Sequence, residues 1–331
     1  MEKYDSLIYG NGLNLNLFTR ISNEISLNSY SKQYLDFGIF LKNLLTKPTH
    51  SSIWRDFEKK FDNHSESAKN TRLSTRNKLY NELDEILELG FEQWVSKYTF
   101  IEPSKITSNE KTFLYLAFNH WASLIDTNIF NRKNVESILQ EYADKINTKV
   151  NNNQIYTLNF DTYFDNFLTA RHLHGRFISP LRKFSSVLLS IPGNETNHEY
   201  TYLFGGNGLE KKSRINTLTS IQCDTYDFNF FNDNSDLGNV LIYGVAFGKT
   251  QFMTDDFLNE HNVHYDNFLV RSVDGHILER LSEKLKDNKL SSVTITYYNE
   301  NDFKRISEWI DISGLKNVTK LKSLNEYDLL E

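Results

Sequence analysis

A single cysteine, Cys223, stands in 331 residues, so neither a disulfide framework nor a structural zinc ribbon built from paired CxxC elements fits the chain. Basic excess is missing as well. Net charge is −6 and the isoelectric point about 5.9, which argues against a dedicated nucleic-acid surface; no nucleic-acid partner is expected. No apolar run approaches the roughly 20 residues that a membrane helix requires, and no membrane partner is expected either. The start, MEKYDSLIYG, enters a strand at once and leaves no room for a signal peptide, so the expected location is cytoplasmic. A complete Walker loop is also lacking: 244–250 (GVAFGKT) ends in GKT but has only three residues between its glycines. What remains is globular in composition, with 39% hydrophobic, 14% aromatic and 24% charged residues, long enough for one large domain or two ordinary ones.

Four short strings carry the chemical signal: LIYGNGLNLN at 7–16, YTLNFDTYFDNFL at 156–168, HLHG at 172–175 and LIYGVAFG at 241–248. Three begin as short apolar runs of β character and break into glycine or a polar turn. Such strand ends carry the site in nucleotide-binding α/β sheets. Between the first and second strings the texture changes. Leu35, Ile39, Phe40 and Leu44 recur at helical spacing, as do Leu79, Leu83, Ile86, Leu87 and Phe91, then Phe113, Leu116, Ala117, Trp121 and Leu124, then Val135, Ile138, Leu139 and Tyr142. Four to six helices are predicted, with no alternating β pattern among them. Strands are predicted at 5–9, 154–158, 239–243, 292–298 and 318–321, and helices after the first strand, at 162–170, 274–286 and 301–311. The expected fold class is therefore α/β, a Rossmann-like, mostly parallel sheet. Its domain is discontinuous, 1–28 and 150–331, with a helical insert at 29–149.

Each string admits a plain reading beside a chemical one. Gly10-Asn11-Gly12 after a strand brings backbone N–H groups to a helix start, where a diphosphate can sit, yet Leu15 replaces the third glycine of the dinucleotide fingerprint and a tight turn uses the same spacing. Asn159 and Asp161 follow a strand, suited to a ribose hydroxyl and a water or to capping the next helix. His172 and His174 share one face of an extended segment, fit for a general base or a metal, or for one structural and one exposed histidine. Gly175 leaves room for a ligand. Gly244 and Gly248 give backbone access to a nucleotide, or kink a strand end. Paired glycosidase carboxylates cannot be picked out among 43 acidic residues.

Read in order, these strings resemble the sirtuin-like fold, and within it the bacterial defence branch that includes the abortive-infection family AbiH. Gly10-Asn11-Gly12 with Asn14 resembles the opening glycine loop, Asn159-Phe160-Asp161 the Asn-x-Asp, and His174-Gly175 the His-Gly. Residues 242–248 (IYGVAFG) resemble the later strand that meets the adenosine part of the cofactor, and 292–306 (SVTITYYNENDFKRI) an AbiH-type terminal strand and helix. The zinc cysteines of the deacetylases are missing, which points away from protein deacylation and from zinc. The resemblance implies NAD as substrate and N-glycosidic cleavage as the reaction, in an effector of anti-phage abortive infection. It casts His174 as general base, Asn159 as positioning the water or ribose, and Asp161 as binding ribose or stabilising positive charge. Gly10, Asn11, Gly12, Asn14, His172, Gly175, Gly244, Phe247 and Gly248 would contact the cofactor. A phage-derived trigger, a second defence subunit or a homo-oligomer are the implied partners. The alternative is a sirtuin-shaped nucleotide sensor or partner-binding protein without turnover.

Overall fold

The computed structural model describes residues 3–24, 35–47, 52–58, 66–91, 94, 107–125, 133–150, 154–159, 164–173, 177–178, 183–184, 187–188, 202–204, 235–248 and 274–331. Its centre is a six-stranded sheet in which every neighbouring pair is parallel. The strands are β1 (Ser6–Tyr9), β2 (Ile155–Thr157), β3 (Ala170–His172), β8 (Gly238–Tyr243), β9 (Leu290–Tyr297) and β10 (Thr319–Ser323). Two small antiparallel pairs lie outside it, β4 (Phe177–Ile178) with β5 (Lys183–Phe184) and β6 (Val187–Leu188) with β7 (Tyr202–Phe204).

Across the sheet the order is β3-β2-β1-β8-β9-β10. The chain moves outward from β1 through β2 to β3, then returns to the other side of β1 and runs outward again. That is the doubly wound, Rossmann-like arrangement, and its crevice opens where the order reverses, between the carboxyl ends of β1 and β8.

Period-2 alternation explains how the central strands face two layers. Leu7 and Tyr9 of β1, with Leu241 and Tyr243 of β8, point to one face. There they meet Leu13, Leu17 and Ile21 of α1 (Asn11–Glu24) and Leu139, Ala143 and Ile146 of α7 (Lys133–Lys149). Ile8, Val240 and Ile242 point the other way, with Val293 and Ile295 of β9. They pack on Ile277, Leu278 and Leu281 of α8 (Gly275–Lys286) and on Ile306, Trp309 and Ile310 of α9 (Glu300–Ser313). Each fully buried aliphatic side chain contributes about 1.5–3 kcal/mol, which makes the double-sided sheet the main source of stability.

Helices α2 (Phe37–Thr46), α3 (Ser52–Glu58), α4 (Glu66–Asn81), α5 (Leu83–Leu89) and α6 (Ser108–Ile125) share a separate aromatic core. In it Trp54 stacks on Phe113 at 4.0 Å, and Phe37 meets Phe91 and Phe118 edge-on at 4.4 and 4.9 Å. The α7 helix belongs with the sheet instead, because Val135, Leu139, Tyr142, Ala143 and Ile146 face β1 and α1. Trp121 touches both cores and ties the helical layer to the sheet layer.

The last residues join the same core. Leu329 and Leu330 are fully buried against α1 and the sheet. Lys149 Nζ donates to the carbonyls of Asp328 (2.9 Å) and Leu329 (3.3 Å), and burial draws its ammonium below the usual lysine range. Arg20 pairs with Asp328. Tyr243, buried beside Asp328, has its hydroxyl pushed up to about 12 and accepts from Asn16 Nδ2 at 2.9 Å.

On α8, burial and then the neighbouring Glu283 push the Glu279 carboxyl up to about 7, against Lys286. The folded chain therefore holds this proton more tightly than the unfolded one. The contribution to stability is fully present below the ordinary value of 4.5 and is lost as pH rises to about 7. Glu279 is only half-buried, so solvent screening reduces the effect to about 1 kcal/mol. Glu279→Gln should be more stable than wild type at pH 8 and equal to it at pH 4.5, as read from urea midpoints at the two pH values.

Candidate active site

A cavity of about 1090 Å³ lies at the carboxyl ends of the strands, roofed by α2, α5 and α6 of the helical layer. Its floor is the crevice between β1 and β8. Pockets of this kind, at a topological switch point and between two layers, are where α/β proteins hold ligands. Gly10, Asn11, Gly12, Asn14, Asn159, Gly244, Phe247 and Gly248 all line it, so residues far apart in sequence meet here. Asp161, His174 and Gly175 lie outside the described residues, as does the glycine-rich 205–208 stretch.

The two glycine loops touch each other. A Cβ on Gly12 would lie 2.5 Å from Gly244 Cα, and one on Gly244 would lie 2.6 Å from Gly12 Cα. Gly244 also has φ of +63°, a left-handed conformation that favours glycine. Hydrogen bonds seal the joint: Gly10 N–H donates to Tyr243 O (3.0 Å), Gly12 N–H to Gly244 O (2.9 Å) and Leu13 N–H to Gly10 O (3.1 Å). Gly244 N–H donates to Thr296 Oγ1 at 2.9 Å. Nearby, Gly248 O accepts from Trp309 Nε1 at 2.7 Å, and Asn11 Nδ2 reaches Leu35 O at 3.3 Å, linking α1 to the chain entering α2.

Asn14 and Asn159 form a buried amide pair in the crevice. Asn159 Nδ2 donates to Asn14 Oδ1 at 3.0 Å and to Gly10 O at 3.4 Å. The Asn159 backbone is held in turn, its N–H by Thr157 Oγ1 (3.0 Å) and its carbonyl by His172 Nδ1 (2.9 Å). His172 Nε2 reaches Asp165 Oδ1, also at 2.9 Å. Each ring nitrogen thus meets an oxygen of the protein, one a backbone carbonyl and the other a carboxylate. His172 is buried, and both of its nitrogens are engaged by the protein. It supports Asn159 from behind and does not itself line the cavity.

The charge around the cavity is one-sided. Among the described residues its wall carries Asp36, Glu88, Asp274, Asp302 and Asp328 against a single cation, Arg305. Arg305 is paired with Asp302 and Asp328 with Arg20, while Asp36 caps α2 by accepting from Ile39 N–H at 2.9 Å. Asp274 starts α8 in the left-handed region, at φ 62°. Sequence reading missed Asp274, Thr296, Arg305 and Asp328. Asp274 precedes α8 and Asp328 follows β10, whereas Thr296 lies within β9 and Arg305 within α9, and none stands out as a ligand residue by its spacing. No group of three or more His, Cys, Asp or Glu that could hold a metal ion occurs among the described residues.

Known proteins add nothing to this geometry. No protein family, no characterised protein and no solved structure matches the chain. Among the described residues, no helix is long and apolar enough to cross a membrane.

Proposed function

We propose that this crevice binds NAD and cleaves the bond between its ribose and nicotinamide. The observation that carries the reading is the acidic wall at the switch point of a Rossmann-like sheet. Nicotinamide in NAD is cationic, and its departure leaves an oxocarbenium-like ribose. Carboxylates fixed around the crevice stabilise that positive charge. The same wall is poorly suited to phosphoryl transfer, whose transition state gathers negative charge.

In this reaction the C1′–N bond breaks and its electron pair leaves with nicotinamide. A water oxygen bonds to C1′, and its proton passes to a base, giving ADP-ribose. The resemblance to the sirtuin-like defence branch supports His174 as that base, Asp161 as the group beside the developing charge, and Asn159 as the residue that positions ribose or water. It also supports a role in abortive infection, in which NAD depletion stops the infected cell.

The test is purified protein incubated with NAD, with nicotinamide and ADP-ribose followed over time, and with a phage lysate added in a parallel arm. Losing the base and its positioning amide should slow turnover at least 100-fold, the usual scale for general-base catalysis. A His174→Ala/Asn159→Ala double variant that matches wild type in both arms overturns the enzyme reading. NAD retained intact by wild type in both arms makes the protein a nucleotide sensor.

A further inference from the structure

A glycine loop at a helix start normally offers its N–H groups to an anion, and the diphosphate of a dinucleotide is expected there. In this crevice Gly10, Gly12 and Leu13 donate instead to backbone carbonyls, and Gly244 donates to Thr296 Oγ1. The facing loops also leave no gap, since a Cβ on Gly12 or on Gly244 would lie 2.5 or 2.6 Å from the other's Cα. Carboxylates bring like charge to much of the remaining wall. A ligand with two phosphates needs another anchor.

Among the described residues the wall holds one cation, Arg305. On α9, Asp302, Arg305 and Ile306 recur at helical spacing and line the cavity together, beside Tyr297 at the end of β9. The guanidinium is incompletely used. Its Nη2 is paired with Asp302, whereas its Nε is buried and has no hydrogen-bond partner. Buried donors without an acceptor are rare in folded proteins. One in a cavity wall fits a side chain that turns toward a ligand, and Arg305 is 25% exposed, which leaves it room to turn. Turned into the cavity, it presents Nε and an Nη as two parallel donors, the geometry that phosphate oxygens accept. Asp302 holds the guanidinium when no phosphate is present and competes with one that is. At 23% exposure on the carboxylate side, this ion pair adds little to stability, so a structural clamp does not account for it.

We infer that Arg305 is the diphosphate anchor of the cavity, on its β9–α9 side, and that Asp302 is the counter-ion which the phosphates displace. The inference rests on the proposed function for the identity of the ligand as a dinucleotide. It also gives that ligand a direction. The diphosphate lies at the guanidinium, and the cationic nicotinamide end is left to the carboxylates elsewhere on the wall.

Calorimetry with ADP-ribose and with adenosine tests it without turnover, because neither ligand carries nicotinamide. Wild type should bind ADP-ribose at least tenfold more tightly than adenosine. Arg305→Ala should remove that advantage and leave adenosine unchanged, tenfold being the scale of one charge-assisted hydrogen bond. Arg305→Lys keeps the charge without the fork and should recover only part of it. Asp302→Asn should tighten ADP-ribose several-fold, a gain that loss of a merely structural ion pair does not produce. All three variants should melt within a few degrees of wild type. ADP-ribose bound equally by wild type and Arg305→Ala overturns the inference. So does an Asp302→Asn variant that loses ADP-ribose as Arg305→Ala does, or a wild type that binds none. Nicotinamide release from NAD together with any of these results sinks this inference alone. Arg305-dependent binding of ADP-ribose without nicotinamide release leaves it standing and removes the proposed cleavage.

Discussion

Gly12→Ala should cost the protein more than about 3 kcal/mol, enough to leave much of it unfolded at 37 °C. Overpacking a core side chain usually costs about 1–3 kcal/mol because neighbours can rotate or shift. Here the new Cβ would meet Gly244 Cα at 2.5 Å, Gly244 O at 2.9 Å and Gly244 C at 3.1 Å. All three are backbone atoms, fixed by the sheet on one side and by the Thr296 hydrogen bond on the other. Gly244→Ala should be worse, since the left-handed φ adds to the clash. Gly314→Ala is the control. Gly314 has φ of +73° at the end of α9, but a Cβ there has nothing within 4 Å, so only the conformational cost of about 1 kcal/mol applies. Urea unfolding of the three variants separates contact from backbone strain. If Gly12→Ala proves as mild as Gly314→Ala, the loops do not touch.

Leu329→Ala with Leu330→Ala should produce a loss of comparable size at the other end of the chain. Buried leucine truncations cost about 2–5 kcal/mol each, the spread reflecting how far the cavity collapses. Both leucines are fully buried and share a core with Leu7, Leu17, Ile21 and Leu241. Collapse is restricted, because Lys149 and Arg20 both hold Asp328 just before the two leucines. Thermal melting should show a drop of well over 10 °C for the pair. A drop of 2–3 °C would mean that residues 324–330 lie loosely on the sheet.

The sheet was legible because its strands are apolar runs that end in glycine or polar residues. Predicted strands at 5–9, 154–158, 239–243, 292–298 and 318–321 agree with β1, β2, β8, β9 and β10 to within a few residues. Strand β3 was not: the 162–170 stretch reads as a helix, yet 164–167 forms a turn and Ala170–His172 pairs with β2. Three residues are too few for a periodic signal, and the pairing is decided by the neighbouring strand. In the helical layer the aromatic helices were visible, whereas α3 and α4 were not. Helix α4 buries only Ala68, Thr75 and Leu79 over sixteen residues, so its polar pattern hides it, and the apolar run read across 79–91 breaks at Glu82. The α7 periodicity was clear, but its partner was not, because a repeat of 3.6 says that a face is buried and not against what.

The site was half legible. Glycine and asparagine at strand ends located the crevice, since topology alone concentrates ligand groups there. The hydrogen bonds that divert those groups were invisible in one dimension. Gly10 and Gly12 look the same in sequence whether their N–H groups face a ligand or a carbonyl. The acidic wall was equally hidden, because Asp36, Glu88, Asp274, Asp302 and Asp328 come from five separate segments.

The scatter of those segments also governs how a ligand would register in solution. The cavity wall runs from Gly10 to Asp328, through the helical layer, the ends of five strands and the residues that seat Leu329 and Leu330. A molecule held there clamps pieces that can separate only if the sheet itself comes apart. Its binding energy is therefore added to the whole folded state rather than to one loop. At 100 times the dissociation constant that amounts to about 2.7 kcal/mol, so a shift in melting temperature can screen for the natural ligand before any reaction is known.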